Sequence, residues 1–218
     1  MPLRSLSFFA GCILGLAAPL TSVAASLSVT VKGTKGEPVP DAVVSLVPLD
    51  APPTPPFVSP PVPGEIVQEK QEFASYVTVV QAGARVVFPN RDSVQHHVYS
   101  LSKAKKFELP LYNPGQAKSI VFDVSGSVTL GCNIHDWMVA YLVVVPTPYY
   151  AKTVAGGTAT VSAPAGRYRL ELQHPRLTAP IVSEIALGSE DIAREFSIAL
   201  KPDRRIRRGP DGKAAGYR

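Results

Sequence analysis

Short segments of apolar or alternating residues recur along the chain, and most of them are bounded by glycine, proline, asparagine or aspartate. This cadence predicts β-strands, and few segments favour a long helix. The predicted strands are Leu27–Val31, Ala42–Val47, Tyr76–Val80, Arg85–Phe88, His97–Leu101, Ser119–Val124, Ser127–Leu130, Val139–Val145, Thr158–Ser162, Arg167–Leu172 and Glu195–Leu200. We therefore predict an all-β chain built from β-sandwiches.

Two segments of unusual composition divide this pattern. Seven prolines lie between Asp50 and Gly64, where they remove backbone donors and favour an extended conformation, so residues 51–65 are predicted to be a stiff linker. Residues 201–218 are rich in arginine and lysine with almost no apolar side chains. That composition predicts a disordered basic tail, which is a candidate for weak contact with an anionic membrane surface.

The N-terminus has the pattern of a secretory signal peptide. A short segment with one arginine precedes the apolar residues 6–20, and Val23, Ala24 and Ala25 supply small residues before a cleavage site. We predict that residues 1–25 are removed, Cys12 among them, and that the mature protein is exported to the periplasm. No later apolar stretch approaches the roughly 20 residues of a membrane-spanning helix.

Beyond residue 25 the chain has one cysteine, one methionine and one tryptophan, and all three lie within residues 131–138. Cys132, His135 and Met138 follow a C-x2-H-x2-M spacing, and soft sulfur donors combined with imidazole favour copper over harder ions. In an oxidising compartment Cys132 has no intramolecular partner, so it is a ligand, a reactive thiol or a buried hydrophobe. The neighbouring His135 and Met138 favour the ligand interpretation.

A second imidazole is needed to complete a trigonal set of donors, and the chain offers His96 and His97 upstream. Side chains alternate along a strand, so only one of the two faces a given site. The residues alone leave both histidines as alternatives.

Residues 66–146 resemble the cupredoxins, the blue copper proteins, in particular the amicyanin-like and plastocyanin-like members. The resemblance rests on Val87-Phe88-Pro89-Asn90 with a histidine six residues after the asparagine, and on the short C-x2-H-x2-M loop. Exported bacterial proteins labelled plastocyanin-like or methylamine-utilisation proteins carry similar strings. The chain departs from the family at Gln95 and His97, which stand where proline and asparagine are usual, and at Ile134 and Asp136 beside the second histidine.

The resemblance implies a Greek-key β-sandwich that holds one copper ion, Cu⁺ or Cu²⁺, through His96, Cys132, His135 and Met138. It selects His96 as the ligand and leaves His97 on the opposite face of the strand. Asn90 is expected either to bridge the ligand loops or to be a plain turn residue. The amide after Cys132 is expected to donate to its sulfur. Trp137 is expected to be a core residue or a docking residue.

The flanking segments, residues 26–50 and 147–200, resemble the two halves of an immunoglobulin-like sandwich of the carboxypeptidase regulatory or transthyretin-like kind. The resemblance rests on the Gly33–Ala42 turn and strand and on Pro164-Ala165-Gly166-Arg167-Tyr168. It implies that the copper domain is inserted between two halves of one carrier domain. The alternative is a looser arrangement of beads on a string.

These features favour an exported one-electron carrier that exchanges electrons with a periplasmic dehydrogenase, oxidase or c-type cytochrome. A copper-binding protein for copper handling or resistance is the alternative, since it would use the same ligands. We do not expect an enzyme, because the extra His-x-His clusters of multicopper enzymes and the G-x-S-x-G and H-E-x-x-H hydrolase motifs are missing. Nor do we expect nucleic acid as a partner.

The lysines at 103, 105 and 106 form a solvated face or steer an acidic redox partner.

Overall fold

Every regular element of residues 24–50 and 61–203, the part of the chain described by this computed structural model, is a β-strand. The strands are β1 (Ala24–Gly33), β2 (Val43–Pro48), β3 (Gly64–Glu65), β4 (Gln68–Glu69), β5 (Glu72–Phe73), β6 (Val77–Gln81), β7 (Ala84–Pro89), β8 (His96–Ser102), β9 (Lys105–Tyr112), β10 (Ala117–Phe122), β11 (Gly126–Cys132), β12 (His135–Val145), β13 (Tyr150–Lys152), β14 (Thr158–Pro164), β15 (Gly166–Gln173), β16 (Ile181–Leu187) and β17 (Ile192–Ile198). The predicted all-β class is confirmed.

Three predictions fall mainly outside the described residues. They are the signal peptide up to residue 23, the linker over residues 51–60 and the basic tail from residue 204. Ala24 and Ala25 lie in β1, and Gly64 and Glu65 of the predicted linker pair with β7 as a short edge strand. None of the described residues forms a helix long and apolar enough to cross a bilayer.

All eleven predicted strands overlap a strand of the structure, whereas β9, β13, β16 and the three short strands β3 to β5 were not predicted. Strand β9 contains Lys105, Lys106 and Pro110, which reduce its likeness to a strand in the sequence. It lies at the edge of a sheet, where lysine and proline are tolerated because one side of the backbone has no partner strand.

Strands β3 to β12 form one sandwich, which we call the central sandwich. Its two main sheets have the orders β10-β7-β3 and β6-β12-β11-β8-β9, with β4 and β5 as a separate hairpin. Alternating side chains of both sheets meet in one apolar core, in which the largest fully buried side chains include Phe88, Phe122, Leu130, Met138 and Leu142. The candidate metal ligands lie at one end of this core.

The remaining strands form a second sandwich, the flanking sandwich, with its own apolar core. Its sheets have the orders β14-β1-β17 and β13-β2-β15-β16, so β1 and β2 pair with strands that follow the central sandwich in the chain. Strand β1 is antiparallel to β14 and parallel to β17. The two segments therefore build one core together. That this core is immunoglobulin-like stays a prediction.

The two sandwiches are in direct contact. Four buried valines form a small apolar cluster between them: Val43 of the flanking sandwich and Val77, Val143 and Val145 of the central sandwich. Beside it, the Nζ of Lys152 donates to the backbone carbonyl of Val77 at 2.7 Å and pairs with Asp41 at 2.9 Å. The flanking sandwich thus fixes β6 and β12, and β12 also carries two of the predicted ligands.

Candidate metal centre

The hairpin between β11 and β12 brings Cys132 and His135 together. Cys132 is the last residue of β11, His135 is the first residue of β12, and the two pair across a turn formed by Asn133 and Ile134. A two-residue hairpin turn places its flanking residues directly opposite each other. As a result the Sγ of Cys132 lies 3.5 Å from the Nδ1 of His135.

Strand β8 brings the second imidazole to the same sulfur. It runs antiparallel to β11, with Tyr99 opposite Gly131 and Val98 opposite Cys132. A Cβ at Gly131 would lie only 3.0 Å from the ring of Tyr99, so the absence of a side chain there permits this approach. His96 begins β8, and its Nδ1 lies 3.8 Å from the Sγ of Cys132. The donor atoms of His96, Cys132 and His135 all lie within 4.8 Å of one another.

His97 points away from this cluster. Its Nε2 lies 2.7 Å from a carboxylate oxygen of Glu108 on β9, and its ring packs near Tyr99. The pairing of β8 with β9 is irregular between His96 and Val98, and here the two imidazoles face different partners, Cys132 and Asp92 for His96 and Glu108 for His97. Of the two histidines left open by the residues alone, the structure places His96 in the cluster.

Met138 is buried in the same core as Cys132. Met138 is only 1% exposed, and together with Cys132 and Tyr99 it lines a surface depression of about 250 Å³. Its role as a fourth, axial donor stays a prediction.

The three donors differ in their access to solvent. His96 is completely buried and Cys132 is 3% exposed, whereas His135 is partly exposed at the start of β12. Next to it the side chain of Ile134 reaches the surface. The cluster therefore meets the outside of the protein through the ring of His135.

Hydrogen bonds around Cys132 and His96 shift the pKa values of both side chains. Burial alone raises the pKa of the Cys132 thiol, but the hydrogen bond with His96 and the backbone N–H groups of His97 and Ile134 outweigh it and hold this pKa below its ordinary value of 9.0. Burial lowers the pKa of His96, but hydrogen bonds with Cys132 and Asp92 outweigh it and raise this pKa above 6.5. A lowered thiol pKa favours the thiolate, which is the form that binds metals.

The expectation about the sulfur's backbone donor was wrong. The amide of Asn133, which follows Cys132, donates instead to the carbonyl of His97 at 3.3 Å. The backbone donors that act on the sulfur come from His97 and Ile134. The donor from His97 belongs to the neighbouring strand, so no local spacing around Cys132 could have indicated it.

Asn90 organises the loop that leads to His96. Its Nδ2 donates to the carbonyl of Val94 at 2.8 Å and to that of Tyr112 at 3.3 Å, and its Oδ1 accepts the N–H of Asp92 at 2.9 Å. These bonds hold the loop to β9, and none of them reaches the Cys132 hairpin. Asn90 therefore acts as a loop anchor, closer to the turn interpretation than to a bridge between the ligand loops.

The structure places three further residues in a hydrogen-bonded chain beside the histidines, and the sequence did not indicate these contacts. Asp92 lies 2.7 Å from the Nε2 of His96, the N–H of Gln71 donates to the same carboxylate oxygen, and the indole of Trp137 donates to the carbonyl of Gln71. The hairpin carrying Gln71 is distant in sequence from all predicted ligands, so only the tertiary fold reveals the contact.

The donor set fits a single transition-metal ion. For a first-row ion such as zinc, metal–sulfur distances are about 2.3 Å and metal–nitrogen distances about 2.0 to 2.1 Å. A sulfur and a nitrogen that share one such ion, at angles between tetrahedral and trigonal, are therefore about 3.5 to 3.8 Å apart. The two Sγ to Nδ1 distances, 3.5 and 3.8 Å, lie in this range. One thiolate, two imidazoles and a nearby thioether form the soft donor set that suits copper.

No protein-family profile matches the chain, and no curated protein matches it. Several solved structures are similar to part of it, and those named here are cupredoxins. A purple cupredoxin from Nitrosopumilus maritimus is 24% identical over 37% of this chain and 98% of its own, with a TM-score of 0.34. An amicyanin in a reduced Cu(I) form is 22% identical over 46% of this chain and 97% of its own, with a TM-score of 0.35. A copper-containing nitrite reductase from Thermus scotoductus SA-01 is 21% identical over 38% of this chain and 22% of its own, with a TM-score of 0.36. These likenesses are partial and distant, and they do not establish a family for the chain.

Proposed function

We propose that this chain is an exported mononuclear copper protein that carries single electrons between periplasmic redox partners and is not an enzyme. The observation that supports the proposal is the convergence of His96, Cys132 and His135, with sulfur to nitrogen distances that one metal ion can bridge. The predicted ligand set is these three residues together with Met138. Bound copper would supply a one-electron couple.

The positions of the ligands suit electron transfer. Cys132 and His135 are fixed by a tight hairpin, and His96 is fixed by the strand beside it. Ligands that cannot move far keep a similar arrangement in both oxidation states, which limits the rearrangement that accompanies each transfer. The protein therefore contributes a rigid, largely dry set of donors.

Electrons would enter and leave at the exposed ring of His135. The side chain of Ile134, 48% exposed beside it, offers an apolar contact for a partner protein. We propose a periplasmic dehydrogenase or a c-type cytochrome as that partner. The signal-peptide pattern of residues 1–25 supports export.

The test is to add Cu(II) to the purified metal-free protein. A carrier is expected to show an intense sulfur-to-copper absorption band in the visible range, a narrow copper hyperfine splitting and reversible voltammetry. A colourless complex, or one that does not cycle, would favour copper handling over electron transfer. Metal analysis of protein isolated without added metal decides between copper and zinc.

Three variants, Cys132→Ser, His97→Ala and His96→Ala, test the ligand assignment. Cys132→Ser is expected to abolish the visible band, because the band requires the thiolate. His97→Ala removes the adjacent imidazole, which faces Glu108, and is expected to leave the band in place. If His97→Ala abolished the band while His96→Ala preserved it, the proposed site would be wrong.

A further inference from the structure

The hairpin formed by β4 and β5 reaches the candidate metal centre with a tight two-residue turn. Lys70 and Gln71 at its tip have φ angles of 56° and 55°, in the left-handed region that side chains other than glycine rarely adopt. Positive φ angles at both central residues are what a tight two-residue hairpin turn requires, and glycine or asparagine is the usual occupant of such positions. The contacts of Gln71 show what holds the turn.

Both backbone polar groups of Gln71 are engaged near the two histidine ligands. Its N–H donates to the Oδ2 of Asp92 at 2.8 Å, and its carbonyl accepts the indole N–H of Trp137 at 2.8 Å. The same Oδ2 of Asp92 lies 2.7 Å from the Nε2 of His96. The ring of Trp137 lies 5.3 Å, centroid to centroid, from the ring of His135. One residue of the hairpin therefore connects to both imidazoles, each through a single intermediate side chain.

The contact between Asp92 and His96 fixes which nitrogen of the imidazole is available. An ionised carboxylate only accepts hydrogen bonds, so the Nε2 of His96 carries the proton of this contact. The Nδ1, which faces Cys132 and shares a hydrogen bond with its sulfur, is then the nitrogen that would bind a metal ion. Carboxylates that hold a ligand histidine in this way orient its ring and raise its basicity toward the metal.

We propose that Asp92, held in place by the turn at Gln71, is a positioning residue that orients His96 toward the metal and favours the more highly charged oxidation state. The effect on the oxidation state rests on the proposed function, whereas the orientation of His96 does not. On the other side of the turn, Trp137 donates to the carbonyl of Gln71 and its ring lies beside that of His135.

The surroundings of Asp92 explain the effect of its charge. Its side chain is 10% exposed, and within the described part of the chain its only ion-pair partner is His96. The adjacent Arg91 pairs with Glu65 instead. A buried carboxylate is unfavourable without a compensating positive charge. A thiolate and a divalent ion together leave one positive charge at the cluster, which Asp92 would offset in the oxidised state.

The test compares Asp92→Asn with Asp136→Asn. Asp136 lies on the surface next to His135, so its substitution removes a carboxylate near the site without touching a ligand imidazole. In the metal-free wild-type protein, NMR spectra of the imidazole nitrogens are expected to show His96 protonated at Nε2, with a slowly exchanging proton. Asp92→Asn leaves a neutral and weaker acceptor, so this proton should exchange faster, whereas Asp136→Asn should keep the wild-type exchange rate.

Metal binding provides the second readout. Asp92→Asn is expected to weaken Zn(II) binding by about 10-fold to 100-fold, with Asp136→Asn close to wild type. In the copper-loaded protein Asp92→Asn should raise the reduction potential, by about 59 mV for each tenfold loss of Cu(II) affinity relative to Cu(I). Equal shifts in both variants would overturn the positioning role, since a general charge effect would then suffice.

A third variant examines the turn and remains informative if Asp92→Asn does not fold. Trp137→Phe keeps an aromatic ring beside His135 but deletes the donor to Gln71, and it should accelerate hydrogen exchange of the Gln71 amide. Unchanged exchange, or a wild-type His96 without a proton at Nε2, would overturn the inference. Absence of a visible copper band in the wild type would instead refute the proposed function, and the NMR and zinc measurements would still decide the role of Asp92.

Discussion

Substitution of Tyr112 by phenylalanine should destabilise the central sandwich although it leaves the aromatic ring in place. The hydroxyl of Tyr112 donates to the Oε1 of Gln68, and the Nε2 of Gln68 donates to the carbonyl of Ile66 at 2.8 Å. Gln68 is completely buried and Tyr112 nearly so. Without the hydroxyl, a buried amide oxygen loses its donor.

The expected loss is about 1 to 3 kcal/mol in the free energy of unfolding, the typical cost of leaving a buried polar group unsatisfied. That is a substantial share of the roughly 5 to 15 kcal/mol that stabilises an ordinary domain. The double variant Gln68→Leu/Tyr112→Phe removes both partners. Because two apolar groups then face each other, it should be more stable than the sum of the single effects predicts.

Urea unfolding followed by tryptophan fluorescence measures these changes, since the single tryptophan of the chain, Trp137, lies in the central sandwich. A change of less than about 0.5 kcal/mol for Tyr112→Phe would place it with ordinary surface substitutions and would refute the reasoning. So would strictly additive effects of the two substitutions.

The hydrogen bond between Tyr112 and Gln68 also predicts that the free energy of unfolding falls at alkaline pH. Burial raises the pKa of Tyr112 above its ordinary value of 10. The unfolded chain therefore loses this proton at lower pH than the folded chain, so the stabilisation is complete below about pH 10 and declines as the pH rises further. Tyr112→Phe should show a smaller decline over that range, and an equal decline in both proteins would contradict this account.

Three further substitutions test other parts of the fold. Val143→Ala, in the valine cluster between the sandwiches, should lower the free energy of unfolding by about 2 kcal/mol through lost burial and a residual cavity; a loss below about 0.5 kcal/mol would show that the contact contributes little. Gly131→Ala should destabilise the protein because the new Cβ would lie 3.0 Å from the ring of Tyr99. Thermal unfolding should show a smaller loss for Gly131→Ala in a Tyr99→Leu background, and an equal loss would contradict the steric explanation. The hydrogen bond and charge of Arg167 hold the pKa of Asp50 below 3.8, so the stabilisation by this pair is present above that pH and is lost as the pH falls through the lower folded value. Arg167→Gln should return the Asp50 pKa, followed by NMR of its carboxyl group, toward 3.8, and an unchanged pKa would exclude Arg167 as the cause.

The strands with clear alternation could be predicted from the sequence because each packs one apolar face against a core. Strand β9 could not, since its lysines and proline are compatible with an edge position that only the sheet order reveals. Strand β16, another edge strand, buries few of its residues and shows a correspondingly weak pattern.

The grouping of Cys132 with His135 could be predicted because three residues of chain and a hairpin turn suffice to bring them together. The selection of His96 needed the resemblance to a known family, and the register of β8 against β11 provides its structural reason. The support from Asp92 and Gln71 could not be predicted, because the hydrogen bond between them joins residues 21 positions apart.

The order of the strands has a consequence for how the chain folds. In the β1–β14 pair, Ser26 lies opposite Ser162, 136 residues later, so this pairing spans the whole segment that forms the central sandwich. Contacts between such distant segments form slowly because a long loop must close first. The central sandwich makes mainly internal contacts, so it can fold before β1 and β2 pair with their partner strands. A truncation that removes the last strands would therefore leave the unpaired edges of β1 exposed to aggregation, next to an intact central sandwich.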